Sequence, residues 1–360
     1  MTRILIMAGG TGGHVYPALA IARALEDRTV DVMWLGTHRG LEARVVPAAG
    51  IPLHWISVRG LRRSALTAVL LAPFQLALAL AQSLRVMLAY RPAAVLGMGG
   101  FVSGPGGVAA WLTRRPLVIH EQNAIAGLTN RLLARLARVV LQAFPGSFSP
   151  ALEARTVGNP VREDIARLED PAVRLAARTG PLRLLVLGGS QGSLKLNQVV
   201  PEALARLPAA ERPLVRHQAG ARTMAIAREA YARQGIAAEL VEFMEDMAAA
   251  YAWADLVVCR AGALTVAELA AAGLPAIFVP FAAAVDDHQT ANARPLAEAG
   301  AAAIVKESEL DARRLAALLG EWLASREVLR RRAIAARGLA RPEAVREITE
   351  ACLAAAGVRP

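Results

Sequence analysis

The sequence contains two glycine-rich turns, far apart in the chain, that follow the same local pattern. An apolar run at residues 4–8 leads into the first glycine turn (residues 9–14), and a run at residues 182–187 leads into the second (residues 188–193). A stretch with helical spacing follows each turn. In a parallel sheet this order presents backbone N–H groups and a helix N-terminus to a phosphate. The pair therefore predicts an α/β protein with two Rossmann-like, doubly wound parallel-sheet domains that face a common cleft.

The length and composition agree with two domains. The chain has 360 residues, which is enough for two hydrophobic cores of ordinary size. Hydrophobic residues make up 55% of the chain and aromatic residues only 4%, which favours helices packed on buried parallel strands. Cys259 and Cys352 are too few for a disulfide framework or a zinc site, so a reducing compartment is expected. The N-terminus enters an apolar run at once, and no secretory signal is expected.

The positive charge is concentrated in the first half of the chain. The formal net charge is +11, and residues 1–157 contain 16 arginines and no lysine against 6 acidic residues. Such a surplus predicts an anionic partner, which is nucleic acid, anionic lipid or a phosphorylated substrate. The arginines are scattered and no nucleic-acid-binding motif occurs, so we expect no nucleic acid.

An apolar segment at residues 64–80 lies within this basic half and is flanked by Arg59, Arg62, Arg63 and Arg85. A proline and a glutamine interrupt the segment, and its uninterrupted part is shorter than the roughly 20 residues of a membrane-spanning helix. Two interpretations stay open. The segment is a core helix, or it is an interfacial patch whose arginines meet anionic lipid headgroups. Both interpretations hold if they apply to different faces of one helix.

Polar or glycine-containing turns follow several of the apolar runs. Strand-to-helix loops of a right-handed parallel sheet emerge on one side, so these turns are expected to share one sheet edge in each half. The first edge is predicted to hold His14, Phe101, Ser103, His120, Glu121 and Asn123. The second edge is predicted to hold residues 188–193, 218–220, 244–247, 260–268 and 280–289. The predicted domains are residues 1–160 and 161–341, with a helix at residues 342–357 that returns to the first domain.

Other nucleotide-binding patterns do not fit. A dehydrogenase fingerprint needs a third glycine in the turn and an acidic residue at the end of the second strand, and the chain has neither. A Walker A loop is excluded because no Gly-Lys-Ser/Thr sequence occurs. The segment Asp286-Asp287-His288 is interpreted as a polar loop, and neither a metal nor a cofactor is expected. At residues 260–268, backbone N–H groups could donate hydrogen bonds to a diphosphate or to the edge of a uracil base. Glu268, placed in the first turn of the helix, would accept ribose hydroxyls or merely complement the helix dipole.

Several motifs, taken in chain order, carry a resemblance to a known family. They occupy residues 9–14, 17–20, 99–105, 120–123, 158–162, 188–192 and 262–268. This ordered set resembles the MurG family, the peptidoglycan N-acetylglucosaminyltransferases that convert lipid I to lipid II. The match covers essentially the full length. It implies a GT-B fold that binds UDP-N-acetylglucosamine in the C-terminal domain and the undecaprenyl-linked muramoyl-pentapeptide diphosphate at the N-terminal domain, on the cytoplasmic face of the inner membrane.

The resemblance also implies site residues. The catalytic residues are His14, the leading base, and Glu121, which orients or replaces it. The donor-binding residues are Thr11, Gly12, Gly13, Asn123, Arg162, Ser190, Met244, Arg260, Ala263, Leu264, Thr265, Val266, Ala267, Glu268, Gln289 and Asn292. The acceptor-side residues are Phe101, Ser103, His120 and Asn130. Phe101 stands where the family often has tyrosine. The segment at residues 282–285 is apolar where some members carry polar residues, so the register of Gln289 stays open.

The implied reaction is one inverting, metal-independent displacement. A neutral imidazole such as that of His14 is suited to remove a proton near neutral pH. His14 is alternatively a loop cap or a phosphate donor. The helix N-termini at both glycine turns, together with Arg162, would neutralise the leaving diphosphate. The alternative functions are a UDP-N-acetylglucosamine 2-epimerase, a GT-B transferase with another acceptor, and a non-catalytic nucleotide-sugar-binding module.

Overall fold

The computed structural model describes residues 1–58, 66–189, 192–281 and 287–358. For residues 66–71 it describes the backbone only. The chain divides into two compact units. The first unit is Met1–Val161 together with Arg341–Pro360, and the second is Arg162–Ala340. Each unit is built on a parallel sheet.

The first unit contains a seven-stranded sheet in the order β3-β2-β1-β4-β5-β6-β7, with parallel pairs throughout. Its strands are β1 (Arg3–Met7), β2 (Asp31–Gly36), β3 (Leu53–Trp55), β4 (Ala94–Gly97), β5 (Leu117–Glu121), β6 (Val139–Gln142) and β7 (Arg155–Thr156). Its helices are α1 (Gly12–Glu26), α2 (Glu42–Ala48), α3 (Leu66–Tyr90), α4 (Ser103–Leu112), α5 (Leu128–Leu133) and the C-terminal α15 (Ala344–Ala355). The strand order reverses between β1 and β4, the kind of switch point at which open α/β sheets bind ligands.

Both faces of this sheet are buried. Ile4 and Ile6 of β1 join one core with α1 and α15, and Leu5 and Met7 join the core on the opposite face. Successive side chains of a strand point to opposite faces, so a strand covered on both sides is apolar throughout. The helix α15 packs on α1 and over β4, β5 and β6. It contributes Cys352, whose burial raises the thiol pKa to about 12.

The second unit contains a six-stranded parallel sheet in the order β10-β9-β8-β11-β12-β13. Its strands are β8 (Arg183–Leu187), β9 (Leu214–Gln218), β10 (Glu239–Val241), β11 (Leu256–Cys259), β12 (Ala276–Phe278) and β13 (Ala302–Ile304). Its helices are α6 (Glu163–Ala166), α7 (Pro171–Ala176), α8 (Leu194–Ala205), α9 (Met224–Arg233), α10 (Met247–Trp253), α11 (Ala263–Ala272), α12 (His288–Glu298), α13 (Ala312–Leu323) and α14 (Arg326–Arg337). Here the order reverses between β8 and β11, so the second glycine turn lies at the switch point.

The apolar segment of the basic half lies in α3, and this helix has a buried face and an exposed face. Ala79 and Met87 are buried, whereas Phe74 and Leu88 are 75% and 64% exposed. The proline does not end the helix, so α3 is longer than the uninterrupted apolar run of the sequence. In the described part of the chain, Ala72–Tyr90 is one helix long and apolar enough to cross a membrane, by length and composition only. Arg85 is exposed on this helix, and Arg59, Arg62 and Arg63 lie outside the described residues.

Candidate active site

The loops after β1 and β4 are joined by a buried hydroxyl group. Ser103 is fully buried, and its Oγ donates to the carbonyl oxygens of Met7 at 3.1 Å and Gly99 at 2.9 Å. These bonds fasten the end of β1 to the loop after β4, as expected for loops that share one sheet edge. We predicted Ser103 on the acceptor side, but its hydroxyl is used inside the protein. Phe101, two residues earlier, is 52% exposed and presents its ring to solvent.

His14 lies at this edge, in the first turn of α1. Its imidazole is half-buried, and its Nδ1 atom lies 3.3 Å from Thr11 Oγ1. A Cβ atom at Gly99 would lie 2.8 Å from Cδ2 of the imidazole, so only glycine leaves room for the ring. The neighbouring loop therefore fixes the position of His14.

A buried carboxylate that the sequence analysis missed holds the first glycine turn. Glu42 begins α2 and is fully buried. Its Oε2 accepts the backbone N–H of Gly10 at 2.9 Å, and its Oε1 accepts the N–H of Thr37 at 3.0 Å and the Thr37 hydroxyl at 2.8 Å. The turn is thus bonded to a negative charge, and one of its N–H groups is already used.

The loop after β5 is organised around Glu121. This carboxylate is buried and accepts the N–H and side-chain amide of Asn123, the N–H of Gly127 and the side-chain amide of Asn130, at 2.9 to 3.1 Å. Four donors satisfy both carboxylate oxygens. This geometry favours the orienting role that we predicted for Glu121 over its role as a base. Asn123 remains partly exposed, whereas Asn130 is buried.

His120 belongs to the same buried network. Burial lowers the pKa of its imidazole to about 4, so the ring is neutral at physiological pH. Its Nε2 lies 2.9 Å from the carbonyl oxygen of Gly158 and its Nδ1 lies 3.2 Å from the amide nitrogen of Gln122. With these partners the proton is on Nε2, and the ring ties the loop after β5 to the chain at Gly158. His120 was predicted on the acceptor side, and the structure places it in the interior.

The second glycine turn is packed against the loop after β9. Gly192 has a φ of +76°, and a Cβ atom there would lie 2.4 Å from the carbonyl oxygen of Ala219. Ser193 caps α8 by accepting the N–H of Leu196 at 3.4 Å. Ser190, which we predicted at the donor diphosphate, lies outside the described residues.

Arg260 fastens this turn to two strand ends. Its guanidinium donates to Ser193 Oγ at 2.8 Å and to the carbonyl oxygens of Val279 and Pro280 at 3.1 and 3.4 Å. It also pairs with Glu307 at 2.6 Å. We predicted Arg260 as a donor-binding residue, and the structure gives its side chain these internal partners.

Glu268 lies on α11, flanked by a tyrosine and an arginine. Tyr251 Oη donates to Glu268 Oε2 at 3.0 Å, and Arg162 Nε lies 3.8 Å from Oε1. The Glu268 side chain is 17% exposed, and burial raises its pKa. Our placement of Glu268 in the first turn of the helix was wrong, because α11 begins at Ala263 and Glu268 lies in its second turn. The helix-dipole interpretation therefore loses its basis.

The remaining predicted donor residues of the second unit lie on α11, in the first turns of α12 or on the loop after β10. Met244 donates its N–H to Gln218 Oε1 at 3.1 Å, Gln289 accepts the N–H of Phe281 at 2.9 Å, and the buried Asn292 donates to the carbonyl oxygen of Ala261 at 3.2 Å. Within α11, Ala263 and Val266 are buried, and Leu264, Thr265 and Ala267 are partly exposed. The segment at residues 282–286 lies outside the described residues, so the register before Gln289 stays a prediction. Asp287 is the N-cap residue before α12, and it accepts the Thr290 hydroxyl at 2.7 Å.

Both halves of the chain match one family. Residues 4–142 match the glycosyltransferase family 28 N-terminal domain, and residues 183–348 match the glycosyltransferase family 28 C-terminal domain. The chain belongs to glycosyltransferase family 28. This family 28 protein is therefore a glycosyltransferase of the hexosyltransferase class.

Individual relatives match this chain along nearly its full length. A protein of Alkalilimnicola ehrlichii, named UDP-N-acetylglucosamine–N-acetylmuramyl-(pentapeptide) pyrophosphoryl-undecaprenol N-acetylglucosamine transferase, is 61% identical over 350 residues, which are 97% of this chain and 98% of that protein. The crystal structure of MurG from Acinetobacter baumannii has a TM-score of 0.86 at 39% identity and covers 98% of this chain and 100% of that one. A UDP-GlcNAc 2-epimerase from Neisseria meningitidis has a TM-score of 0.68 at 13% identity over 98% and 100% of the chains. That likeness shows the fold alone. The GT-B fold and the resemblance to MurG are confirmed.

Proposed function

We propose that this family 28 enzyme transfers N-acetylglucosamine from UDP-N-acetylglucosamine to the C4 hydroxyl of undecaprenyl-diphospho-N-acetylmuramoyl-pentapeptide. The reaction converts lipid I to lipid II in peptidoglycan synthesis. The observation that carries the proposal is the 61% identity, over nearly all of both chains, to a relative that is named for this transfer.

The second unit is assigned to the donor. Glu268 is the one acidic side chain of α11, and it lies between Tyr251 and Arg162 with part of its surface open. A partly exposed carboxylate can accept hydrogen bonds from the two hydroxyls of a ribose. The Arg162 side chain is 43% exposed and is available to the donor diphosphate. Met244 and the start of α11 are assigned to the uridine, and Gln289 and Asn292 to the sugar.

His14 is assigned as the base in the first unit. It takes the proton of the muramoyl C4 hydroxyl while that oxygen attacks the anomeric carbon. The bond from the anomeric carbon to the UDP oxygen breaks, and UDP leaves with the electron pair. The new link is β-1,4, with inverted configuration. The contacts with Thr11 and the close approach of Gly99 support this role, because a base must be held in one position.

Stabilisation of the leaving diphosphate is assigned mainly to the second unit. The N-terminus of α8 follows the second glycine turn, and a helix of this length presents N–H groups and a partial positive charge to an anion. In the first unit, the N–H of Gly10 already bonds to the Glu42 carboxylate. Another anion beside that carboxylate is repelled, so the first glycine turn is less suited to this task.

The exposed side of α3 is assigned to the membrane. Phe74, Leu78 and Leu88 are exposed there, and Arg85 lies on the same helix. Apolar side chains enter the acyl boundary, and each arginine near an anionic leaflet adds about 1 kcal/mol. This arrangement supports peripheral binding at the cytoplasmic face of the inner membrane, where a lipid-linked acceptor is held.

The test is incubation with labelled UDP-N-acetylglucosamine and a lipid I analogue. We expect label in a lipid-linked disaccharide and release of one UDP per transfer. The reaction without acceptor is the control. Label that stays in a nucleotide sugar of changed configuration would replace the proposal with an epimerase, and binding without turnover would replace it with a nucleotide-sugar-binding module.

A further inference from the structure

We propose that Tyr251 is a positioning residue that sets the preference for a ribose in the donor, by fixing the carboxylate of Glu268. The inference rests on the proposed function, in which Glu268 binds the ribose. Tyr251 lies on α10, outside the motifs that resemble the family and outside the residues predicted from the sequence.

The geometry gives Tyr251 one polar task. The side chain is 1% exposed, and its Oη lies 3.0 Å from Glu268 Oε2. The helix α10 packs against α6, α11 and β8, and the Tyr251 side chain is buried. Burial raises the pKa of the phenol well above its ordinary value, and the hydroxyl therefore stays protonated and donates.

This bond leaves the two carboxylate oxygens unequal. Oε2 accepts from Tyr251, whereas Oε1 lies 3.8 Å from Arg162 Nε, beyond hydrogen-bond length. A carboxylate oxygen accepts more than one hydrogen bond, so the partly exposed carboxylate can still accept hydrogen bonds from a pair of neighbouring hydroxyls. The 2′- and 3′-hydroxyls of a ribose are such a pair, and a 2′-deoxyribose offers only one.

The charges around Glu268 give the inference a second consequence. Burial raises the pKa of Glu268, Arg162 and the Tyr251 hydrogen bond lower it, and Asp164 raises it. These groups come from α6 and its N-cap and from α10, and Cys259 of β11 acts on Tyr251. Removing the phenol hydroxyl raises the pKa of Glu268 further. The carboxylate is then protonated at a higher pH than in the wild type, and ribose binding weakens as the pH falls.

The test compares Tyr251→Phe with the wild type, using UDP-N-acetylglucosamine and its 2′-deoxyribose analogue at several pH values. We expect the KM for UDP-N-acetylglucosamine to rise about tenfold, the loss of one hydrogen bond to a charged group, with kcat changed much less. We also expect the preference for the ribose donor to fall, and the rise of KM at acidic pH to begin at a higher pH than in the wild type.

Tyr231→Phe is the matched control. Tyr231 is also buried in the second unit, and its hydroxyl lies 3.0 Å from His217 Nδ1 rather than at Glu268. Its loss is expected to lower thermal stability and to leave the ribose preference unchanged. If both variants shift the ribose preference equally, the effect of Tyr251 is structural and the inference is overturned.

Glu268→Gln separates this inference from the proposed function. If Glu268→Gln leaves the ribose preference unchanged, the assignment of Glu268 fails. If it abolishes the preference while Tyr251→Phe retains it, only the role of Tyr251 fails. The double variant is expected to match Glu268→Gln alone, because Tyr251 acts through that carboxylate. Direct binding of UDP and 2′-deoxy-UDP to the folded protein gives the same answer if turnover is too low to measure.

Discussion

The two glycine turns follow the same pattern in the sequence but are held by opposite charges. A carboxylate holds the first, since Glu42 accepts the N–H of Gly10. A guanidinium holds the second, since Arg260 donates to the Ser193 hydroxyl. The first contact uses a backbone N–H of the turn, whereas the second uses a side chain and is balanced by Glu307. The glycine pattern therefore determines the conformation, and the long-range partner determines what the turn is suited to bind.

Under the proposed function, we expect this difference to separate catalysis in the first unit from donor binding in the second. The first glycine turn carries His14, so damage there is expected to lower kcat. The second precedes the helix assigned to the donor diphosphate, so damage there is expected to raise the donor KM. The division fails if variants of the two turns change the same kinetic constant.

The largest effect is expected for His14→Ala, which removes the proposed base. The value of kcat should fall by about 10²- to 10⁴-fold, the usual contribution of general base catalysis. Steady-state kinetics with a lipid I analogue measures the loss, with His38→Ala as the control, because His38 is exposed and stacks on Trp55. A loss smaller than about tenfold would return His14 to a capping or phosphate-binding role.

A smaller loss of kcat is expected for Glu42→Gln. The amide –NH₂ would face a backbone N–H, which costs about 1–3 kcal/mol when a buried donor is left unpaired. We expect kcat to fall by about tenfold, the donor KM to change little, and the melting temperature to decrease. Glu26→Gln, an exposed change in the same unit, is the control. A normal kcat with a raised donor KM would contradict the division between the turns.

Arg260→Lys is expected to change the donor KM rather than kcat. Lysine keeps the charge but cannot reach Ser193, Val279, Pro280 and Glu307 together, because it lacks the planar fork of a guanidinium. The donor KM should rise about threefold to tenfold, the cost of one or two hydrogen bonds, with a smaller change in kcat. Arg314→Lys, at a half-exposed site on α13, should leave both constants unchanged. A selective loss of kcat would place the chemistry at the second turn as well.

The smallest effect is expected outside both turns, at α3. Arg85→Gln should weaken binding to anionic vesicles at low salt by about fivefold, because one arginine near such a surface contributes about 1 kcal/mol. Flotation or sedimentation with vesicles measures the change, and kcat with a soluble acceptor analogue should not change. Binding that is insensitive to this substitution and to salt would remove the membrane role of this helix.

Sequence reasoning found the features that are local. The strands before the two glycine turns were predicted because strands buried on both faces are continuous apolar runs, and β1 and β8 agree with the runs at residues 4–8 and 182–187 within one residue. The short strands β3, β7 and β13 leave no such signal, since each has only two or three residues and most of them are at least partly exposed. Within the described residues, the predicted edge residues of the first half end or follow β1, β4 and β5, because a parallel sheet brings its strand ends and the loops after them to one side.

The sequence could not separate polar residues that face a ligand from those that tie loops together. Ser103, His120 and Asn130 follow strands and suggest a site, but each is buried and bonded within the protein. Glu42 was missed because its partner Gly10 is 32 positions away. A weak signal was present, since Glu42 is the last acidic residue before a long stretch without acids.

The C-terminal helix has a consequence for biogenesis. Because Ile348, Cys352 and Leu353 lie in the same hydrophobic core as Ile4 and Ile6, that core takes residues from both ends of the polypeptide. During synthesis, the sheet of the first unit is made before α15, so its core is completed only after the second unit has been made, whereas the described core cluster of the second unit takes all its residues from that unit. A nonsense mutation that removes only α15 should therefore destabilise the first unit, although most of that unit lies far from the deletion in sequence. The second unit, which directly precedes the deletion, should keep its fold.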